Sequence, residues 1–316
     1  MKTVGILIGT ETGWISETYY QKNKKKLEYL DTLDPSILYT SDAIPYDYAI
    51  LCEFKALEKK YKVNVIPLHG PTLNLESSNQ CDFIFCIYEG VFSFDSGGYK
   101  GFNHYMNVLS KTKATVHPPV KVQKFIINKQ EYMAWLDKKG FDIIPTKFIT
   151  TNTYNKDKKK TLDSIHSFAK KGDFKELIMK PELGLFAGGF KHYKRITNKG
   201  MMTYLDKVSK KGFKKVLVQP YIEEFLKYYE IKTFWLNGKY LYAYGINVLT
   251  EMEGKGDVYP ESEGGTLPDE YVNKCRKTGE KIIKELFKEF GSLAELRIDF
   301  GCCIDNDNLC RDYFVN

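Results

Sequence analysis

Short apolar runs of strand type recur along the first third of the chain, separated by longer stretches of helical period. Thr3 to Ile8, Val63 to Pro67 and Asp82 to Tyr88 are the strand-like runs; Asp47 to Lys60 and Tyr99 to Lys111 are the helical ones. This alternation predicts a parallel sheet with helices on its faces. Gly9 to Gly13 and Glu89 to Gly98 follow strands, at the ends where open α/β sheets bind ligands. Between them, Trp14 to Pro45 is charged and tyrosine-rich and reads as an insertion.

The pattern then changes. Asn128 is placed as an N-cap with Glu131 completing a capping box, and Tyr132, Met133, Trp135 and Leu136 form the inward face of the helix that follows. Lys129 falls in the first turn, where the helix dipole disfavours a cation unless an anion binds nearby; a lysine pointing away into solvent is the alternative. Phe141 to Thr150 leads through a polar, lysine-rich linker to a helix over Leu162 to Lys171. A strand over Glu176 to Lys180 follows, and Pro181 ends it. Lys180 closes an apolar strand, so its ammonium sits at the edge of a core and calls for an anion. Gly184, Ala187, Gly188 and Gly189 come next, a turn able to bring backbone N–H groups to phosphate oxygens or to serve as an ordinary hairpin turn. It is not a P-loop, because Phe190 and Lys191 stand where Lys and Ser or Thr are required.

A helix over Lys199 to Lys210 precedes the strand Val216 to Val218, which runs into Gln219, Pro220, Tyr221, Ile222, Glu223 and Glu224. Pro220 offers a carbonyl but no N–H, which suits a segment leaving the ladder. Alternate backbone groups there match the acceptor and donor that an adenine edge needs, and the carboxylates beyond suit ribose hydroxyls; a plain strand end with charged loop residues is the other reading. Tyr229 to Leu236, Asn237–Gly238 and Lys239 to Gly245 predict a β-hairpin with a type I′ turn. Lys232 shares a face with Phe234 and Leu236. Thr250 to Gly265 is acidic and glycine-rich, and Thr266, Pro268 and Asp269 open a helix that ends near Phe290 and Gly291.

The last strand carries the densest chemistry. In Leu296 to Gly301, Arg297 and Asp299 leave one face while Leu296, Ile298 and Phe300 leave the other. Alone, this Arg and Asp would be a structural ion pair. A second strand-like run, Asp312 to Asn316, follows.

Composition narrows the classes. The 316 residues are 43% apolar and 15% aromatic, enough for a large core and two or three structural units. Net charge is +7, yet only Arg195, Arg276, Arg297 and Arg311 are arginines. Nucleic-acid surfaces favour arginine for bidentate contacts, so the lysine excess does not point to such a partner. The runs Lys24 to Lys26 and Lys158 to Lys160 read as solvated faces or loops. The seven cysteines lack CxxC spacing and read as reduced thiols; Cys302, Cys303 and Cys310 lack zinc spacing and have no His nearby. No apolar run approaches the roughly 18 residues of a membrane span, so the expected compartment is the cytosol.

Taken in order, Asn128–Lys129, Ile178–Met179–Lys180–Pro181, the glycine turn, Val218 to Ile222 and Leu296 to Gly301 resemble the ATP-grasp superfamily of carboxylate ligases. Each motif is loose; their order and spacing over nearly the whole chain carry the resemblance. The Glu89 to Phe102 stretch resembles the substrate-side loop of the D-alanine ligase and glutathione synthetase branches. The resemblance implies an α/β N-terminal domain (1–120) followed by an α+β ATP-grasp fold, two subdomains (121–225 and 226–316) clamping ATP. It further implies Lys129 and Lys180 on the phosphates with Gly184, Gly188 and Gly189 closing over them. The hinge of Gln219, Pro220, Tyr221 and Ile222 would read adenine, and Glu223 or Glu224 ribose. Asp299 would hold Mg²⁺, and Arg297 would meet the transferred phosphoryl group or the acyl phosphate; Lys232, from its strand face, is expected to approach the same site as a further catalytic residue. The substrates would be a small carboxylate and an amine.

The resemblance also calls for a second metal carboxylate just after the Tyr313 to Asn316 run. Asp305, Asp307 and Asp312 lie too early and read as turn residues, although Asp312 could substitute. A strand stopping on large apolar residues without cap or turn reads as a chain cut short. The alternatives are a small-molecule kinase on the same nucleotide site, a nucleotide-binding module without turnover, and a basic nucleic-acid binder. A homodimer is left open.

Overall fold

The computed structural model describes residues 1–8, 14–16, 22, 24–25, 43–86, 98–183, 189–222, 230–246, 269–305 and 308–314. The chain divides into two compact units, Met1–Lys124 and Phe125–Asn316.

The first unit is the parallel α/β layer that the apolar runs predict. Strands β1 (Lys2–Ile8), β4 (Val63–His69), β5 (Phe83–Cys86) and β6 (Thr115–His117) form one sheet in the order β4-β1-β5-β6, every pair parallel. Central β1 is buried from Val4 to Ile8, the continuous apolar run expected of a strand covered on both faces. Helix α1 (Tyr46–Ala56) packs Tyr48, Ala49, Leu51 and Cys52 against it. The single helix expected over 47–60 is two, because the chain breaks at Leu57 before α2 (Glu58–Tyr61), which ends with Lys62 at φ 53°. The ends of the expected insertion meet: β2 (Trp14–Ser16) and β3 (Ala43–Pro45) pair antiparallel. Helices α3 (Leu75–Ser78) and α4 (Gly98–Lys111) complete the unit, and α5 (Val120–Ile127) carries the chain into the second.

The second unit holds two antiparallel sheets around one core. Helix α6 (Lys129–Lys138) leads to β7 (Lys147–Thr150), and the stretch expected as a linker is helical instead, α7 (Thr151–Lys156) and α8 (Lys158–Lys171). The physical reason is capping. Thr150 and Asp157 each accept a backbone N–H three residues on, so the Lys158 to Lys160 run forms a first helical turn. With β8 (Leu177–Pro181), β9 (Lys191–Tyr193), α9 (Asn198–Lys210) and β10 (Lys215–Pro220), the first sheet takes the order β7-β10-β8-β9.

The second sheet is β12-β11-β13-β14, from β11 (Glu230–Leu236), β12 (Lys239–Ile246), β13 (Glu295–Asp305) and β14 (Asn308–Phe314). Between β11 and β12 the two turn residues Asn237 and Gly238 have φ 48° and 76°, as a type I′ turn requires. Helix α10 (Asp269–Phe290) covers this sheet with Cys275, Ile282 and Ile283. Alternation along β11 sends Ile231 and Trp235 into the same cluster, which continues through Ile298 and Phe300 of β13 to Leu217 of β10 and Tyr132, Met133 and Leu136 of α6. Both sheets of the second unit thus share one apolar cluster. Among the described residues, no helix is long and apolar enough to cross a membrane.

Candidate functional site

The faces of the two sheets that alternate with the core face carry charge. On β8, Leu177, Met179 and Pro181 are buried, so Ile178 and Lys180 leave by the other face. Antiparallel register places Leu217 opposite Lys180, and Gln219 and His192 opposite Ile178. On β11 the alternate positions are Glu230 and Lys232, and Asp299 of β13 stands opposite Lys232.

Helix α6 brings the first lysine. Asn128 Oδ1 accepts the Glu131 N–H as the capping pattern predicts, but the Glu131 carboxylate meets the Asn128 side-chain amide, so the box closes side chain to side chain. Lys129 begins the helix and is only 7% exposed, which overturns the solvent-facing alternative. Its Nζ donates to the Glu182 carbonyl at 3.3 Å. Burial lowers its pKa to about 7, and the Lys180 ammonium adds to the effect. Lys180 is lowered too, again chiefly by burial, with Glu230 acting against the shift. Among the described residues Lys180 has no hydrogen bond or ion pair closer than that electrostatic pull.

The other side of the site is a row of alternating charge. Lys232 Nζ lies 2.5 Å from Glu230 Oε1 and 3.1 Å from Asp299 Oδ2. Arg297 forks onto the same carboxylate, Nε to Oδ1 at 2.9 Å and Nη2 to Oδ2 at 3.1 Å. Burial pulls the Lys232 pKa down, but Glu230 and Asp299 together leave it raised. The row is almost closed to water: Glu230 and Lys232 are 7% exposed and Asp299 2%. Tyr132 of α6 is within reach of the Asp299 charge, and burial raises its hydroxyl pKa beyond the usual range.

The segment expected as the hinge is a modified strand end. Pro220 does not leave the ladder as expected: it stands opposite Leu177, and Tyr221 N–H still donates to the Glu176 carbonyl at 3.0 Å. Because Tyr221 N–H points to β8, the missing donor of Pro220 points to the other side. There β7 has already ended, its last pair being Lys147 with Val218. Among the described residues, the N–H of Ile222 has no backbone acceptor. Gln219 is 2% exposed; its Nε2 donates to Thr146 Oγ1 at 2.7 Å, while its Oε1 has no hydrogen-bond partner among the described residues. Gly189 has φ 78°, and an added Cβ would sit 3.1 Å from the Pro181 ring, so glycine is required there; Tyr204 Oη anchors its carbonyl at 2.7 Å.

Three solved structures share this arrangement of elements. D-cycloserine synthetase DcsG aligns over 99% of this chain and 90% of that chain, with TM-score 0.65 and 14% identity. The D-alanine–D-alanine ligase of Bacillus anthracis, complexed with ATP, aligns over 99% and 84%, with TM-score 0.55 and 15% identity. For D-alanyl-alanine synthetase A of Vibrio cholerae the values are 99%, 87%, 0.56 and 12%. The chain has the ATP-grasp fold. No protein-family model matches the sequence, and neither does any curated protein sequence.

Within the ATP-grasp fold, Lys129, Lys180, Lys232, Arg297 and Asp299 come together, with each step from Lys129 to Lys180, Glu230, Lys232, Asp299 and Arg297 a direct contact or an electrostatic coupling. Gly184, Gly188, Glu223 and Glu224 lie outside the described residues, as do Gly9 to Gly13, most of Glu89 to Gly98, Thr250 to Gly265 and Asn316. Asp312 stands opposite Cys302, three residues beyond Asp299. Among the described residues, no three His, Cys, Asp or Glu side chains gather as metal ligands.

Sequence reading missed Glu230 and Glu182. Glu230 shares a face with Lys232 at two-residue spacing, a signal that was present. Glu182 is 4% exposed, one carboxylate oxygen lies 3.6 Å from Lys215 Nζ, and the other has no hydrogen-bond partner among the described residues. Burial raises its pKa, against the pull of Lys215 and Lys214. Nothing in the local pattern marks it.

Proposed function

We propose that this protein is an ATP- and Mg²⁺-dependent ligase that joins a small carboxylate to an amine through an acyl phosphate. The observation that carries the reading is the pair of lysines, Lys129, buried at the start of α6, and Lys180, half-buried on the face of β8 away from the core, each with its pKa lowered chiefly by desolvation. Two ammoniums desolvated side by side fit a polyphosphate, whose oxygens would restore their charge. The Pro220 carbonyl and Ile222 N–H suit the adenine edge, and the buried Gln219 Oε1 is a second acceptor beside them. Glu223 or Glu224 would take the ribose, and the glycine turn that ends at Gly189 would cover the phosphates.

Asp299 fits Mg²⁺ in the mode where one or two carboxylates and the substrate phosphates share the ion. Its two oxygens already accept from Arg297 and Lys232, and a carboxylate keeps further lone pairs for a metal. When bound, the ion would neutralise charge on the phosphates. Arg297, with 42% of its side chain exposed, is the cation able to swing from Asp299 to a phosphoryl group. Lys232, held between Glu230 and Asp299, keeps those carboxylates from repelling one another.

The chemistry balances without a protein nucleophile. A substrate carboxylate oxygen attacks the γ-phosphorus in line, the bond to the bridging oxygen breaks, and ADP leaves. The amine then adds to the acyl carbon, loses a proton, and expels inorganic phosphate. Lysine and arginine charges stabilise the phosphoryl oxygens in both steps.

Thermal denaturation with and without ATP and Mg²⁺ tests the nucleotide site. Ligand at about 100 times its Kd should add about 2.7 kcal/mol of stability. Lys180→Ala should abolish that gain, and a full gain in the variant counts against the assignment. Phosphate release that requires both a carboxylic acid and an amine supports the ligase; phosphate retained on an acceptor would identify a kinase.

A further inference from the structure

Glu176, His192 and Tyr221 form a connected group where β8, β9 and β10 meet. The Glu176 carbonyl accepts the Tyr221 N–H at 3.0 Å. Its carboxylate Oε2 lies 2.5 Å from His192 Nε2. The imidazole in turn stacks on the Tyr221 ring, with centroids 3.9 Å apart and planes 15° from parallel. Glu176 therefore holds Tyr221 twice, once through the backbone and once through the histidine. A half-buried imidazole fixed at one nitrogen has little freedom to slide, so the ring it covers is fixed as well.

The position of this group gives it a role. Tyr221 lies between Pro220 and Ile222, whose carbonyl and N–H are the backbone groups suited to adenine. Rotation of the Tyr221 peptide units would turn both away from the base. His192 stands opposite Ile178, and Ile178 opposite Gln219, so the imidazole shares the sheet face of the orphaned Gln219 oxygen. In the chain it follows the glycine turn by three residues. The same side chain thus links the strand after that turn to the hinge.

Resting on the nucleotide reading above, we propose that His192 and Glu176 are positioning residues for base recognition: the stack on Tyr221 sets the direction of the Pro220 carbonyl and Ile222 N–H. Among the described residues, neither Glu176 nor His192 hydrogen-bonds to Lys129 or Lys180. Its loss should therefore weaken recognition of the base and leave recognition of the phosphates alone.

Calorimetric titration of the intact protein with Mg²⁺ and either ATP or inorganic tripolyphosphate separates the two. His192→Ala should raise the Kd for ATP about tenfold, leave tripolyphosphate within about twofold, and reduce the preference for ATP over GTP. His192→Phe keeps a ring on Tyr221 and should stay within about threefold of the parent. Glu176→Ala leaves the imidazole on Tyr221 but untethered and should weaken ATP binding less than His192→Ala does, and the double variant should be no worse than His192→Ala, because the two act through one contact. The proposal is overturned by unchanged ATP binding in His192→Ala, by parallel loss of ATP and tripolyphosphate, or by His192→Phe binding as poorly as His192→Ala. If the parent protein binds tripolyphosphate no less tightly than ATP, the nucleotide reading itself fails, and this is visible before any variant is made.

Discussion

Lys129→Met should make the empty protein more stable and less able to bind ATP. The ordinary lysine pKa of 10.5 falls to about 7 in the fold, first because Lys129 is buried and second because Lys180 is near. At about 1.4 kcal/mol per pH unit, the charged form is about 5 kcal/mol worse off in the fold than in the unfolded chain, an upper limit because the fold relaxes around a buried charge. Methionine removes that penalty and forfeits the 3.3 Å hydrogen bond to the Glu182 carbonyl, worth about 1 kcal/mol. A net gain of about 2–4 kcal/mol at pH 6.5 is expected.

The sign with pH follows from linkage. Below pH 7 both folded and unfolded chains hold the proton, so the wild type carries the full penalty. Between pH 7 and 10.5 the unfolded chain holds a proton that the fold has released, so wild-type stability relative to the variant rises by up to about 1.4 kcal/mol per pH unit. The variant's advantage should therefore be largest at pH 6.5 and mostly gone by pH 9.5. Urea denaturation at four pH values measures it, with tryptophan fluorescence as the probe, since Trp235 lies in the shared core and Trp135 packs on it. A variant less stable than wild type at pH 6.5, or an advantage that does not shrink with pH, would refute the reasoning. The same linkage predicts proton uptake when ATP binds at pH 8, seen as a binding enthalpy that depends on the ionisation enthalpy of the buffer.

Two further substitutions probe the packing and the charge row. Gly279 lies inside α10, where alanine ordinarily helps a helix by about 1 kcal/mol; a Cβ there would meet Trp235 Cζ2 at 2.4 Å, so Gly279→Ala should destabilise by about 1–3 kcal/mol, and a more stable variant would show that the contact yields. Asp299→Asn removes the charge facing both Arg297 and Lys232 and should lower stability by about 2–4 kcal/mol in urea denaturation, together with loss of any ATP-dependent turnover; unchanged stability would mean that Glu230 alone satisfies Lys232.

The charge row shows why the site is a compromise between stability and binding. Glu230, Lys232, Asp299 and Arg297 neutralise one another within the second sheet, while beside the first, desolvation lowers both Lys129 and Lys180, and Lys180 adds to the lowering of Lys129. A ligand bearing several negative oxygens would relieve the lysines without disturbing the row. That is a physical basis for affinity toward a polyphosphate.

Much of this was legible in the chain because it depends on near neighbours. The short apolar runs gave the parallel sheet of the first unit, the Asn237–Gly238 pair gave the β11–β12 hairpin of the second, and Asn128 gave the start of α6 with Lys129 in its first turn. Even the shared face of Arg297 and Asp299 follows from spacing alone. What tertiary structure decided is what each face meets. Lys232 is clasped by Asp299, 67 residues away, Lys180 feels Glu230 from another sheet, and the linker lysines turned out to open a helix because Asp157 caps it. Burial and charge partners arise from the meeting of surfaces distant in sequence, and they shift a lysine pKa or strand a glutamine oxygen without leaving any mark on the local pattern.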